Sequence, residues 1–197
     1  MNICVYCAAS VRLSQDYLDD AYELGKRIAE RGHGLVFGAG QCGIMGAVAN
    51  GVKEHGGHII GATPRFFEPE GVVYYECDDL HWTETMNERK EYMEQHADAF
   101  VIAPGGMGTM EEFYEVLTAK QLGLHTKAIC IYNKNGFYDK LIEFMDQAIE
   151  QEFIPENCHN LMYVTGDKEE LLDYIENYVP HRTAIREMKF VAGTEKE

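Results

Sequence analysis

No apolar run in the chain reaches the ~18 residues a bilayer-spanning helix needs, and the opening Met1-Asn2-Ile3-Cys4 lacks the basic and apolar regions of a secretion signal. The expectation is a cytoplasmic chain with no membrane partner. Basic residues are scarce: 17 Lys and Arg stand against 33 Asp and Glu, a formal net charge of −16. The average field therefore repels phosphate backbones, which excludes nucleic acid as the expected partner and requires any anionic ligand to be held by local donors. A disulfide frame is missing too, because the six cysteines are scattered over the sequence. Cys4 and Cys7 form a CxxC inside an apolar strand-like run, with no second CxxC or nearby His pair to complete a zinc site, so core thiols are expected. The eight histidines lie apart, with no HxxxH spacing, and no metal is expected. Linkers, repeats and low-complexity stretches are likewise absent. Residues 1–197 read as a single domain, with 193–197 expected to be frayed.

What is present is an alternation. Apolar runs of strand length recur at 2–7, 35–37, 58–63, 73–77, 98–103, 128–132 and 161–165, mostly continuous, as in strands buried on both faces. Helix-length segments with i, i+3, i+4 apolar spacing fall between them, at 14–31, 43–55, 84–97, 109–122, 137–151 and 167–178. This order predicts an α/β fold: a Rossmann-like, doubly wound parallel sheet of about seven strands with helices on both faces, and ligands beyond the carboxyl ends of the strands.

Two glycine-rich turns follow predicted strands. The first, Gly38 to Gly46, matches GxGxxG by letter. It follows the second strand rather than the first, no acidic residue stands about 20 positions on for a ribose, and no Lys-Ser or Lys-Thr completes a Walker A loop. Ligand contact and a purely structural turn both remain open for it. The second turn, Pro104-Gly105-Gly106-Met107-Gly108-Thr109, leads into a helix beginning near Met110. Its glycines leave amides exposed at a helix N-terminus, where the macrodipole favours negative charge, so a phosphate seats there without a basic patch. Thr109-x-x-Glu112 also reads as a capping box, which accounts for those two residues but not for three glycines together.

Met86 and Met93, seven apart, define one stripe of helix 84–97, and Arg89 lies on it. A guanidinium facing inward is costly unless it meets an anion or a cavity. Its partner is either a carboxylate in a buried ion pair or a substrate phosphate or ribose.

Together these residues resemble the LONELY GUY family, the cytokinin riboside 5′-monophosphate phosphoribohydrolases. Pro104 to Glu112 fills every fixed position of its PGGxGTxxE signature, and Met86 to Lys90 resembles its MxxRK. Thr118 to His125, Cys4 to Ser10 and Gly38 to Gly46 resemble its TWAQLGIH, CVFCGSS and GGGxxGLMG segments. Ala8, Ala9 and Ala39 replace glycine, serine and glycine, Ala119 stands where plant members carry Trp, and Glu68 is displaced from the glutamate of a PREL-type segment.

The resemblance implies hydrolysis of the N-glycosidic bond of a nucleoside 5′-monophosphate, releasing free base and ribose 5-phosphate with no cofactor, by a homodimer. Breaking that bond develops positive charge on the ribose and needs water delivered to the anomeric carbon. Glu112 is the candidate that orients or deprotonates the water, and Arg89 the candidate that positions phosphate or ribose hydroxyls. Gly105, Gly106, Met107, Gly108 and Thr109 are the expected phosphate hollow. Lys90 is added from the family's Arg-Lys pair, and Glu111 and Thr118, seven apart, as a second lining face. Two other classes remain in view: a non-catalytic nucleotide or phosphate carrier using the same turns, and a lysine decarboxylase, which needs pyridoxal phosphate and a Schiff-base lysine that nothing in the sequence nominates.

Overall fold

The computed structural model describes residues 1–182 and 184–190, so the expected fraying of 193–197 lies outside the described residues. The apolar runs become strands: β1 (Asn2–Tyr6), β2 (Gly34–Phe37), β3 (Ile59–Pro64), β4 (Asp79–Thr83), β5 (Ala99–Ile102), β6 (Ala128–Tyr132) and β7 (Tyr163–Thr165). They form one parallel sheet in the order β4-β3-β2-β1-β5-β6-β7. The inner strands are buried almost throughout, as continuous apolar strings require when helices cover both faces.

The helices are α1 (Gln15–Glu30), α2 (Gly43–Glu54), α3 (Met86–His96), α4 (Met107–Gln121), α5 (Asp139–Glu150), α6 (Lys168–Asn177) and a short α7 (Ile185–Met188). Leu24 and Ile28 of α1, Val48 and Val52 of α2, and Leu171 and Ile175 of α6 pack on one face of the sheet. Met93 of α3, Phe113 and Val116 of α4, and Met145 of α5 pack on the other. The doubly wound architecture expected from the sequence is the observed one.

The expected fourth strand is displaced. Residues 73–77 contribute only an isolated antiparallel bridge, Gly40 to Val73, and the edge strand is Asp79–Thr83. The apolar letters of Val73 and Tyr74 serve a different contact: Tyr74 donates its amide to Ala39 O and sets its ring edge-on to Phe37. An edge strand with one exposed flank tolerates Asp79 and His81, so its apolar signal is weaker than that of the loop before it.

The CxxC resolves by strand geometry. Cys4 packs in the cluster on one face of β1 and Cys7 in the cluster on the other. Both thiols are free and buried, and burial raises both out of the range where thiolates form readily.

Candidate active site

Strand order reverses on either side of β1, where β2 continues the sheet one way and β5 the other, so the loops after β1 and β5 diverge and open a crevice. A cavity of about 540 Å³ fills it. Its walls come from residues 7–11 after β1, 38–42 after β2, Thr63 near the end of β3 and Phe67 beyond it, and Gly106, Gly108, Thr109, Glu111 and Glu112 after β5. The loops are stitched together by their backbones: Ala8 N donates to Pro104 O (3.1 Å), Met45 N to Ala8 O (3.1 Å) and Gln41 N to Val72 O (2.9 Å).

Helix α3 is started by Thr85, whose hydroxyl accepts from Glu88 N at 3.1 Å. One turn on, Arg89 points inward and is 5% exposed. Its Nε donates to Ala62 O (3.2 Å) and its Nη1 to Glu112 Oε1 (3.0 Å), and Glu112 is 4% exposed. The two readings of Arg89 thus converge: it forms a buried ion pair, and both partners line the cavity. Gly38 makes room for it. A Cβ there would overlap Arg89 Nη2 and stand 2.7 Å from Cζ and 3.1 Å from Nε.

Burial pushes the Glu112 carboxyl above its ordinary value, and Arg89 opposes that shift without cancelling it. The carboxylate is therefore more basic than a surface glutamate while the guanidinium holds it in place. Such a group can accept a proton from water or face a developing cation.

Helix α4 corrects the capping reading. It begins at Met107, three residues before the expected start, with Gly106 as N-cap and no side-chain cap bond. Thr109 lies inside the first turn, so Thr109 and Glu112 form no capping box, and Glu112 is held by Arg89 instead. The first-turn amides keep their freedom to bind an anion. The glycines divide by purpose: a Cβ on Gly105 would overlap Thr109 Oγ1, whereas one on Gly106 or Gly108 would meet nothing within 4 Å. Gly105 is needed by the fold, and the other two leave the surface bare where a ligand approaches.

Of the remaining expected residues, Gly106, Gly108, Thr109 and Glu111 line the cavity with Arg89 and Glu112. Gly105 lies behind the wall, and Met107 projects from α4 with 93% exposure. Thr118 belongs to a different, apolar groove of about 500 Å³ between α4 and α5, because about two helical turns beyond Glu111 carry it past the end of the crevice. Lys90 turns away and pairs with Glu111 and Glu115. Ala119 is also off the cavity wall. Ala39 is on it, with φ of 52°, a left-handed conformation that glycine adopts without strain.

Sequence reasoning missed the apolar half of the cavity. Met45, Phe67, Val72 and Met86 form it, with Thr63 at its base. The rule that ligands gather at strand carboxyl ends points to Thr63, which lies near the end of β3, but nothing local marks Phe67 or Val72 as neighbours of Met45. Among the described residues no group of three or more His, Cys, Asp or Glu is placed to hold a metal ion.

Residues 45–175 match the family model described as "Possible lysine decarboxylase". The chain is 40% identical over 179 residues to the cytokinin riboside 5′-monophosphate phosphoribohydrolase LOG of Oryza sativa subsp. japonica, covering 91% of this chain and 74% of that one. It is 36% identical to LOG2 of Arabidopsis thaliana, covering 91% and 84%. In three dimensions it is similar to the molybdenum cofactor binding protein of Rippkaea orientalis, with a TM-score of 0.68 at 20% identity, covering 89% of this chain and 94% of that one. The molybdenum cofactor carrier protein of Chlamydomonas reinhardtii gives a TM-score of 0.65 at 23% identity over 89% and 95%. These structural likenesses establish the shared fold alone.

Proposed function

Since the chain belongs to the LOG family of phosphoribohydrolases, we propose that it hydrolyses the N-glycosidic bond of a nucleoside 5′-monophosphate, a cytokinin riboside 5′-monophosphate or AMP, to free base and ribose 5-phosphate. The observation that carries this reading is the buried Arg89–Glu112 pair, 3.0 Å apart, on the wall of a cavity whose other side is the bare turn of Gly106 and Gly108.

The phosphate sits against the first-turn amides of α4 and the Thr109 hydroxyl, where the helix dipole replaces the missing basic patch. The base lies against Met45, Phe67, Val72 and Met86, which suit an aromatic ring and an apolar N6 substituent. The sugar then lies between them, beside Glu112. Its carboxylate takes a proton from the attacking water and faces the positive charge that grows on the ribose as the bond to the base lengthens. Arg89 fixes that carboxylate through Nη1, and its remaining donors face the ribose hydroxyls or phosphate.

The name of the family model raises a second chemistry. Pyridoxal phosphate, an electron sink for amine substrates, would be held through its aldehyde by a lysine, and the cavity wall carries no lysine. The residues present do not fit that group. A carrier needs the phosphate hollow but not Glu112. Incubating the protein with AMP, isopentenyladenosine monophosphate and CMP, followed by chromatography for free base, tests the reaction. Glu112→Gln separates enzyme from carrier: Gln Oε1 still accepts from Arg89, so we expect the fold and AMP binding to be kept while base release falls by about 10² to 10⁴. Unchanged turnover removes Glu112 from the mechanism. A homodimer completes the proposal, supported by the family resemblance; light scattering on the purified chain reads the assembly.

A further inference from the structure

Lys90 is adjacent to Arg89 yet occupies a different setting. Its side chain is 8% exposed, and its ammonium reaches Glu111 and, at 2.5 Å, Glu115, two carboxylates one helical turn apart on α4. Burial pulls the ammonium down, and its bonds to the two carboxylates more than offset this, so the net shift is upward and the charge is kept. The neighbouring rung is Arg89 to Glu112. Consecutive residues of α3 thus grip neighbouring residues of α4, with Arg89, Glu111 and Glu112 on the cavity wall and Lys90 and Glu115 off it.

We propose that Lys90 is a positioning residue of this hydrolase: by clamping Glu111 and Glu115 it fixes α4 against α3 and holds Glu112 in register with Arg89, without touching substrate. The inference rests on the reading of Glu112 given above. Without Lys90, Glu111 and Glu115 become uncompensated beside Glu94, which already faces Glu115 and Glu111, and the strip flanking Glu112 gains negative charge. The charged groups acting on Glu112 are Arg89 and Lys90 from α3 and Glu111 from α4. Cys4 and Tyr6 of β1 and Cys7 just after it face Glu112 as well, and burial keeps them neutral. Loss of Lys90 therefore raises the pH at which Glu112 ionises. Loss of Glu115 leaves the ammonium wholly to Glu111 and lowers it.

The test measures kcat, KM and the pH dependence of kcat/KM for AMP in wild type, Lys90→Gln, Lys90→Arg and Glu115→Gln. In Lys90→Gln we expect kcat to fall roughly tenfold with KM within about threefold, and the acid limb to move up by roughly half a pH unit. Lys90→Arg restores most of the loss. In Glu115→Gln, a change at a half-exposed side chain that the fold tolerates, the acid limb moves down, so the clamp stays testable even if Lys90→Gln does not fold. An acid limb that stays put in Glu115→Gln, or a tenfold rise of KM in Lys90→Gln with kcat and acid limb unmoved, overturns the proposal, the latter by making Lys90 a substrate contact. Absence of base release by the wild type from every nucleotide overturns the functional reading instead. The Glu112 carboxyl titration, followed by carbon-13 NMR in the same proteins, then still decides for or against the clamp by the same opposite shifts.

Discussion

Gly38→Ala is a change of one methyl group, far in sequence from the residues assigned to the chemistry, and it should nearly abolish the reaction. The added Cβ would stand 2.7 Å from Arg89 Cζ and overlap Nη2. Atoms in contact settle near 3.5 Å, so the guanidinium must retreat by roughly 2 Å at Nη2. A misplacement of even about 1 Å costs about 10²-fold in rate, about 2.7 kcal/mol of transition-state stabilisation. The ground state suffers less. The retreat weakens the bond from Nε to Ala62 O, a charged hydrogen bond of order 1.5–3 kcal/mol. Part of that is recovered because the guanidinium can swing into the cavity of about 540 Å³ and meet water. A net loss of about 1–2 kcal/mol corresponds to a Tm lower by roughly 2–8 °C.

The assay follows free adenine released from AMP together with a thermal melt, and repeats both in an Arg89→Ala background. There Gly38→Ala has nothing left to displace and should add little, so the two changes are strongly non-additive. Gly40→Ala is the comparison. Its Cβ would meet the flexible Met45 Sδ at 2.8 Å, and a much smaller loss is expected. Gly38→Ala with kcat/KM within twofold of wild type would refute the reasoning. Full additivity with Arg89→Ala would refute it equally, because Gly38 would then act independently of the guanidinium.

Two further outcomes follow from the same site. Because burial raises the Glu112 carboxyl, catalysis that needs its ionised form should fail on acidification at a higher pH than for a surface glutamate. The sign for stability is opposite: a carboxyl raised in the fold contributes stability below its unfolded pKa and loses it as pH rises through the folded value. Wild type should thus gain activity and lose stability over the same window, and the stability difference from Glu112→Gln should vanish below it; thermal melts across pH 4–8 check this. Ala39→Gly should leave Tm within about 3 °C of wild type, because relief of a left-handed alanine, about 1–2 kcal/mol, is offset by a lost buried methyl and a freer unfolded chain. A large fall would mean that the Ala39 side chain is needed in its packing beside Gly61 rather than strained.

The buried strands and all six long helices were legible because burial on two faces writes a continuous apolar string, and a helix packed on one side writes a 3.6-residue period. The edge strand was not, since Asp79–Thr83 needs no such string and the apolar Val73 and Tyr74 answer to a contact with Phe37 and Ala39 that no local pattern records. The same distinction divides the site. Arg89 stood out because it breaks an expectation in its own segment, a charge on an apolar stripe, whereas Glu112 read locally as a capping residue and its role came from the family resemblance.

Capping was misread at Thr109 because Ser/Thr-x-x-Glu is a weak local signal, and the helix begins three residues earlier with Gly106 as its N-cap. Lys90 came from the family resemblance, and Thr118 from spacing along a helix, which fixes a face but not what that face meets. Amino-acid order by itself determined the layered parallel architecture, the crevice at the strand ends and the inward-facing Arg89, because these depend on periodicity and on the cost of burying charge. Only the tertiary structure decided that Gly38 exists to seat a guanidinium from a helix some fifty residues away, that Lys90 serves its neighbours rather than the cavity, and which apolar side chains close the pocket. Those facts depend on distances between segments brought together by folding, and sequence spacing carries no information about them.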